Sequence, residues 1–199
     1  PMKNEYQHND DGTTYIFLES KSKYFPGKHT IIIDTEDWDK AKVHRWRING
    51  NSKTRYPYTA TNILHPDGGW YTRPDRNGSR ERRRKTLLLH HLILGKPEKG
   101  LVIDHKNHNG LDNRKDNLRF LTNQQNQWNS KSSKNSFSEY KGVYWNKPLK
   151  KWKAYIRLFN KQIHIGYFTC EKEAARAVNN KARELGLEEH FLFNKVEDE

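Results

Sequence analysis

The sequence is poor in apolar residues, almost empty of cysteine and short of acid relative to base. Only 33% of its 199 residues are hydrophobic, so one large core is not expected, and the length fits one large domain or two to three small ones. The single cysteine, Cys170, excludes an intramolecular disulfide framework and any multi-cysteine zinc site. A metal would have to take oxygen and imidazole ligands, and no structural zinc is expected. No apolar run approaches the ~20 residues that span a bilayer, and the polar start Pro1–Thr14 has no signal-peptide core. The expectation is therefore no membrane partner and an intracellular, cytoplasmic location.

Base is what the chain has in excess. Lys and Arg number 37 against 24 acidic residues, a formal charge of +13. The isoelectric point near 9.7 points to a polyanionic partner, of which nucleic acid is the commonest. Charge bears on association and not on fold, so a ribosomal or merely soluble basic protein shares this signal. Aromatic residues make up 12% of the chain, too many for a disordered basic tail.

Three regions separate along the chain. In the first, Ile31–Ile33 reads as a strand, Asp34 and Thr35 offer N-caps for a short helix through Trp38 to Val43, and Trp46 and Ile48 lead to an Asn49-Gly50 turn. Tyr56, Tyr58 and Ala60 then resume with period two. A polar loop or ribbon from Pro66 to Lys85 carries an Asn77-Gly78 turn and the run Arg82, Arg83, Arg84, Lys85, which suits either phosphate contact or a solvated loop.

The second region holds an apolar segment Leu87–Leu94 interrupted by His90 and His91, a short strand Leu101–Ile103 ending at Asp104, a polar stretch His105–Asn117 with a turn at Asn109-Gly110, and a strand Leu118–Leu121. Thr122 and Gln125 have the spacing of a capping box, which starts a helix through Asn126 and Trp128. A helix on a two-stranded hairpin can bring Asp104, His105 and Asn126 together. Two hard oxygen ligands completed by water and phosphate suit Mg²⁺, and a neutral imidazole can take a proton from water. On residue chemistry alone an Asp-His pair is common, and Asp112 and Asp116 are further possible ligands.

The string LVIDHKNHNGLDNRKDNLRFLTNQQN resembles the core of HNH homing endonucleases, and LHHLILGKPEKG resembles the approach to it, with His91 where Arg is common. The resemblance implies a ββα-metal finger that hydrolyses phosphodiester bonds in duplex DNA. It implies Asp104 and Asn126 as ligands of Mg²⁺, or another divalent cation such as Mn²⁺, His105 as general base, and Asn117 as a brace of the loop. Arg114 and Arg119 are expected at the DNA. His90 is expected to be structural, and Asp112 and Asp116 to have structural and capping roles. His108 departs from the family, where Gly is usual. A bacterial or phage-infected cell is the setting this resemblance implies.

The third region shows strand-like segments Gly142–Trp145, Trp152–Leu158 and Gln162–Phe168, connected through Lys147-Pro148 and Asn160-Lys161, and then a helix Glu171–Leu185 ended by Gly186. Ala174, Ala175, Val178, Ala182 and Leu185 give that helix a narrow stripe that can lie against a sheet. Trp152, Ala154, Ile156 and Leu158 suit a covered face, leaving Lys153, Tyr155 and Arg157 outside. YKGVYWNKPLKKWKAYIRL, HIGYFTCEKEAARAVN and FLFN resemble the apetala-type (ethylene-response-factor) DNA-binding domain. The resemblance implies DNA contacts at Lys141, Tyr144, Asn146, Tyr155, Arg157, Gln162 and His164, beside Lys153. Cys170 stands at the helix N-cap, where Thr is usual. More loosely, IIIDTEDWDKAKVHRWRING and YPYTATN resemble the first part of such nucleases, implying a scaffold or DNA-contacting role.

The whole reads as an α+β protein: an N-terminal α+β unit with a basic loop over residues 1–85, the finger over 86–130, a linker over 131–139, and a three-stranded antiparallel sheet packed on one helix over 140–199. A monomeric metal-dependent endonuclease acting on double-stranded DNA is expected. A non-catalytic DNA-binding regulator, or an RNA binder, would share the basic faces without needing the metal residues.

Overall fold

The computed structural model describes residues 4–52, 56–66, 68–72, 80–130, 136–159 and 161–196. The Asn77-Gly78 turn, Asn160 and residues 131–135 of the expected linker lie outside them. The chain divides into two compact units, Pro1–Phe120 and Leu121–Glu199.

The first unit begins with a meander of β1 (Glu5–His8), β2 (Thr13–Lys21) and β3 (Pro26–Asp34), in that order, with Ile16 opposite Ile31. The Ile31–Ile33 run is the end of β3. A 3₁₀ turn Thr35–Asp37 and α1 (Trp38–Ala41) follow, a shorter helix than the sequence suggested. Neither expected N-cap forms a side-chain cap there. Asp34 instead accepts a hydrogen bond from the Lys115 amide at 2.7 Å. A tertiary partner has displaced the local one.

A second sheet joins β4 (Arg47–Asn49), β5 (Tyr58–Leu64) and β8 (Arg84–Leu88), and β6 (Trp70–Thr72) pairs with β7 (Arg80–Arg82). The basic run therefore lies largely in strands. Next come α2 (Leu89–Leu94), β9 (Leu101–His105), a 3₁₀ turn Lys115–Asn117 and β10 (Leu118–Thr122), with β9 and β10 forming a two-stranded sheet. β9 runs one residue past Asp104 and includes His105. The core of this unit mixes Ile16, Ile31, Ile33 and Trp46 with Leu89, Ile93, Leu111 and Leu118. Burying each such aliphatic side chain contributes about 1.5–3 kcal/mol.

The second unit carries α3 (Asn123–Asn129), then β11 (Val143–Asn146), β12 (Lys151–Leu158), β13 (Lys161–Phe168) and α4 (Glu171–Glu184). The strands form an antiparallel sheet in chain order, and α4 lies on it. Ala174, Ala175, Val178 and Ala182 are buried against Val143, Ala154 and Ile156. Small residues on the helix let it approach the sheet closely. Gly186, at φ 65°, closes α4 in the left-handed region where glycine carries no Cβ penalty. Cys170 is exposed and makes no side-chain cap.

The division between units passes through the expected finger. Its loop packs into the first core, while Trp128 on α3 packs against the second. Among the described residues no helix is long and apolar enough to cross a membrane.

Candidate functional site

Asp104 and His105 end β9, and the side-chain alternation of a strand sends them to opposite faces. Asp104 is 11% exposed, and its Oδ2 accepts from Arg119 Nε on β10 at 3.0 Å. His105 is 4% exposed, with Nε2 3.4 Å from Asn113 Oδ1. Its ring lies 5.3 Å from that of His90 and 5.8 Å from that of Tyr58. Burial lowers the His105 pKa below the ordinary histidine value, outweighing the opposite pull of Asn113, Asp104 and Asp112. The imidazole is thus held neutral, the form that can accept a proton.

His90 is buried more severely in its effect. Burial, helped by His105 and His91, pushes it down to about 3, and its Nδ1 has no hydrogen-bond partner. It serves as an uncharged wall behind His105. Tyr58 closes the other side. Burial and the Asp104 charge raise its phenol above the ordinary value, so it stays protonated. Period two at Tyr56 and Tyr58 marked the strand but gave no sign that Tyr58 reaches His105.

The loop between β9 and β10 is fixed by side chains. Asn117 Oδ1 accepts from the Asn107 amide at 3.1 Å, and its Nδ2 donates to Asp112 O at 2.7 Å and to Asn107 Oδ1 at 3.0 Å. Asp112 is buried and accepts from Arg114 Nε at 2.9 Å, Arg114 Nη2 at 2.7 Å and Asn107 Nδ2 at 2.8 Å. Burial alone would raise its pKa, but the Arg114 bonds bring it below the usual carboxylate value. The loop also borrows an edge from the N-terminal meander. Ile32 N donates to Leu111 O at 2.9 Å, and Asn113 N to Ile32 O at 2.7 Å. His108 sits at φ 59°, a conformation that costs glycine nothing, which agrees with the Gly that the resemblance leads one to expect there. At Gly110 a Cβ would lie 2.3 Å from Pro57 O and 2.8 Å from Tyr58 Cδ1, so only glycine lets the loop and β5 meet.

Asn126 is exposed on α3, in the second unit, and Thr122 and Gln125 make the reciprocal capping box that starts that helix. Asp104 and Asn126 both offer hard oxygen, the donor chemistry of a Mg²⁺ site that keeps most of its ligands as water and phosphate. Asp104 belongs to the first unit and Asn126 to the second, and each by itself is a hard-oxygen donor. A separate acidic group, Asp34, Glu36 and Asp37, brings its ligand atoms within 4.8 Å of one another. Ammonium groups already occupy it: Lys115 bonds Glu36 and lies 3.3 Å from Asp37 Oδ2, and Lys40 lies 2.7 Å from Asp37 Oδ1.

The residues expected at DNA fall into two sets. Arg82, Arg83, Arg84 and Lys85 are exposed, as are Tyr144, Arg157, Gln162 and His164, with Lys153 and Tyr155 half-buried beside them. Register places Tyr144 opposite Lys153, Tyr155 opposite His164 and Arg157 opposite Gln162, on the sheet face away from α4. The second set also has partners within the fold. Arg114 grips Asp112, and Arg119 grips Asp104. Asn146 Oδ1 accepts from Leu149 N at 3.0 Å, shaping its turn. Lys141 directs its ammonium at backbone carbonyls of Gln127, Trp128 and Ser130.

Residues 89–128 match the family model described as HNH endonuclease, so the chain carries an HNH endonuclease domain spanning α2 to α3. That match does not reach the C-terminal sheet. Over 64 residues the chain is 38% identical to Protein 3.8 of Escherichia phage T7, covering 32% of this chain and 53% of that protein. The chain thus spans about half the length of this curated relative. No solved structure matches the chain.

Proposed function

We propose that the protein is a metal-dependent DNA endonuclease in which the HNH domain cuts and the C-terminal sheet holds the duplex. The observation that carries this reading is His105: a buried imidazole kept neutral, next to a carboxylate, inside a segment matching HNH endonucleases. In the proposed mechanism His105 takes a proton from the attacking water. Tyr58 and His90 hold its ring between them, and Asn113 fixes the outer nitrogen. Asn117 keeps the loop in shape, and Arg119 orients Asp104. Asp104 and Asn126 would hold Mg²⁺ or Mn²⁺, which when bound stabilises negative charge growing on the phosphate and leaving oxygen.

Duplex DNA is the proposed substrate. The basic strands around Arg84 and the face of Tyr144, Lys153, Tyr155, Arg157, Gln162 and His164 supply phosphate and groove contacts, in the manner of an apetala-type reader. In this reading Lys141, whose ammonium meets the carbonyls of Gln127, Trp128 and Ser130, is not one of the DNA contacts.

The test is supercoiled plasmid incubated with purified protein, with and without Mg²⁺. Metal-dependent conversion to open-circular or linear DNA is expected. His105→Ala should abolish conversion while gel-shift binding of duplex survives. Undiminished cleavage by that variant would remove His105 as the base. Binding with no cleavage by the wild type under any divalent metal would favour a regulator instead.

A further inference from the structure

Helix α3 has no basic residue in its last turn, and it stops at Ser130 in extended conformation, φ −72° and ψ 147°, without a left-handed glycine cap. Within the helix end only the Gln127 carbonyl is met, by the Ser130 amide at 3.3 Å and the Ser130 hydroxyl at 2.7 Å, and no left-handed cap completes the turn. Lys141 supplies what is missing. Its Nζ donates to Gln127 O at 2.6 Å, to Ser130 O at 2.7 Å and to Trp128 O. A cation at a helix C-terminus also meets the negative end of the helix dipole. The Phe191 ring lies beneath the same ammonium at 5.1 Å.

Lys141 cannot drift from this position. Its amide donates to Asn194 Oδ1 at 2.6 Å, and its carbonyl accepts from Asn194 Nδ2 at 3.0 Å. The next residue, Gly142, sits at φ 75° with Tyr155 O only 2.5 Å from where a Cβ would be, so the backbone there admits only glycine. The helix is also tied to the sheet directly. β11 pairs with Lys151–Ala154 alone, and further along that edge of β12 Arg157 O accepts from Trp128 Nε1 at 2.8 Å and from Gln124 Nε2 at 3.3 Å. Leu192 N closes the contact onto Trp128 O at 3.0 Å.

We propose that Lys141 is a positioning residue that clasps the C-terminal end of α3 to β12, so that the helix bearing Asn126 and the strand bearing Tyr155 and Arg157 form one hydrogen-bonded piece. This rests on the nuclease reading for its consequence and on the contacts for its existence. The sheet that holds DNA then also sets where Asn126 is presented. Burial draws the ammonium down to about 7, while three carbonyl acceptors favour its charged form.

The test uses the full chain with Lys141→Met and, separately, Trp128→Phe, which keeps the ring and loses the donor to Arg157. Three measurements are made: amide hydrogen exchange over residues 123–129 without DNA or metal, duplex affinity at fixed salt, and the Mg²⁺ dependence of nicking at saturating duplex. Lys141→Met should speed exchange in α3 and leave it unchanged in β13. It should leave duplex affinity unchanged and raise the Mg²⁺ needed for half-maximal nicking roughly 10- to 100-fold, the range for losing a group that orients a metal ligand. Trp128→Phe should act in the same direction and less strongly, and it decides the matter if Lys141→Met does not fold. Unchanged exchange over α3 in both variants overturns the clasp. So does weakened duplex binding with the salt slope reduced by about one and an unaltered Mg²⁺ response, the signature of a phosphate contact. If His105→Ala still cleaves, the nuclease assignment fails, and the exchange result still decides whether Lys141 holds the helix.

Discussion

Two lysines fasten pieces of the same HNH segment to sequence outside it, and they do so by different physics. Lys115, in the first unit, spans Glu36 and Asp37, two carboxylates from a distant turn. Lys141, in the second, meets no carboxylate, only the carbonyls at the end of α3. The first is a charge cluster, open to solvent at Glu36 and weakened there by salt. The second is an ion among backbone dipoles, partly removed from water, where screening reaches poorly. The loop that follows His105 also has many side-chain ties of its own, whereas the carbonyls at the end of α3 depend on Lys141 for most of theirs. Loss of one lysine should therefore matter more in the second unit than in the first.

The most damaging way to break the loop side of that comparison is not a lysine at all. Asn117→Leu removes three hydrogen bonds at a buried site and strands the Asp112 carbonyl and the Asn107 amide. A buried group left unpaired costs about 1–3 kcal/mol, and of the two only the Asp112 carbonyl is bonded at a buried site, so a loss of about 1–3 kcal/mol is expected in urea unfolding. An unchanged unfolding midpoint would mean that the loop is held by its ties to β3 and not by Asn117.

A comparable effect at low pH belongs to His90. Its folded pKa lies below its ordinary value, so the unfolded chain binds more protons between the two. Stability from this group is complete above about pH 6.5 and falls as pH drops toward about 3, by on the order of 4 kcal/mol at the bottom of that window. His105, lowered for the same reason, adds in the same direction. Urea midpoints of wild type and His90→Leu, followed over this range, should diverge, the variant losing less on acidification. Parallel curves would place the acid sensitivity elsewhere.

How much of this was legible in the sequence follows from how local each signal is. The Thr122–Gln125 box starts α3 where three-residue spacing said it would, and alternation along β12 separated Ala154 and Ile156 from Lys153, Tyr155 and Arg157. Strand β1 had no such signal, because all four of its residues are exposed and none marks a buried face. The resemblance points Lys141 at DNA, and its partners within the fold lie 11 to 14 residues back, at a helix end whose position only the fold sets. Asp34 has the residue type of an N-cap, but the Lys115 amide that claims it is 81 residues away. Tyr58 and His105 are likewise joined only by the tertiary arrangement. The chemistry at the end of β9 was thus readable as a motif, while the side chains that hold it in place were not.

The smallest expected effect is the one that tests the comparison most directly. Lys115→Ala removes the ammonium facing Glu36 and Asp37 but leaves Lys40 beside Asp37, and the Lys115 amide still donates to Asp34. Exposed ion pairs give little to stability, and the glutamate partner is itself open to solvent. A slight fall in melting temperature is expected at low salt, shrinking further as salt rises, with plasmid nicking close to wild type. For Lys141→Met the change in α3 hydrogen exchange should persist across the same salt series, since carbonyl dipoles in a half-buried site are poorly screened. If the Lys115 effect survives high salt, Asp37 is the partner that matters: it is almost wholly buried, and removing its facing ammonium would leave a desolvated carboxylate to Lys40 alone. Thermal melts of both variants at low and high salt separate these outcomes, and they measure whether the loop side of the domain is secured by charge or by the hydrogen bonds of Asn117 and Asp112.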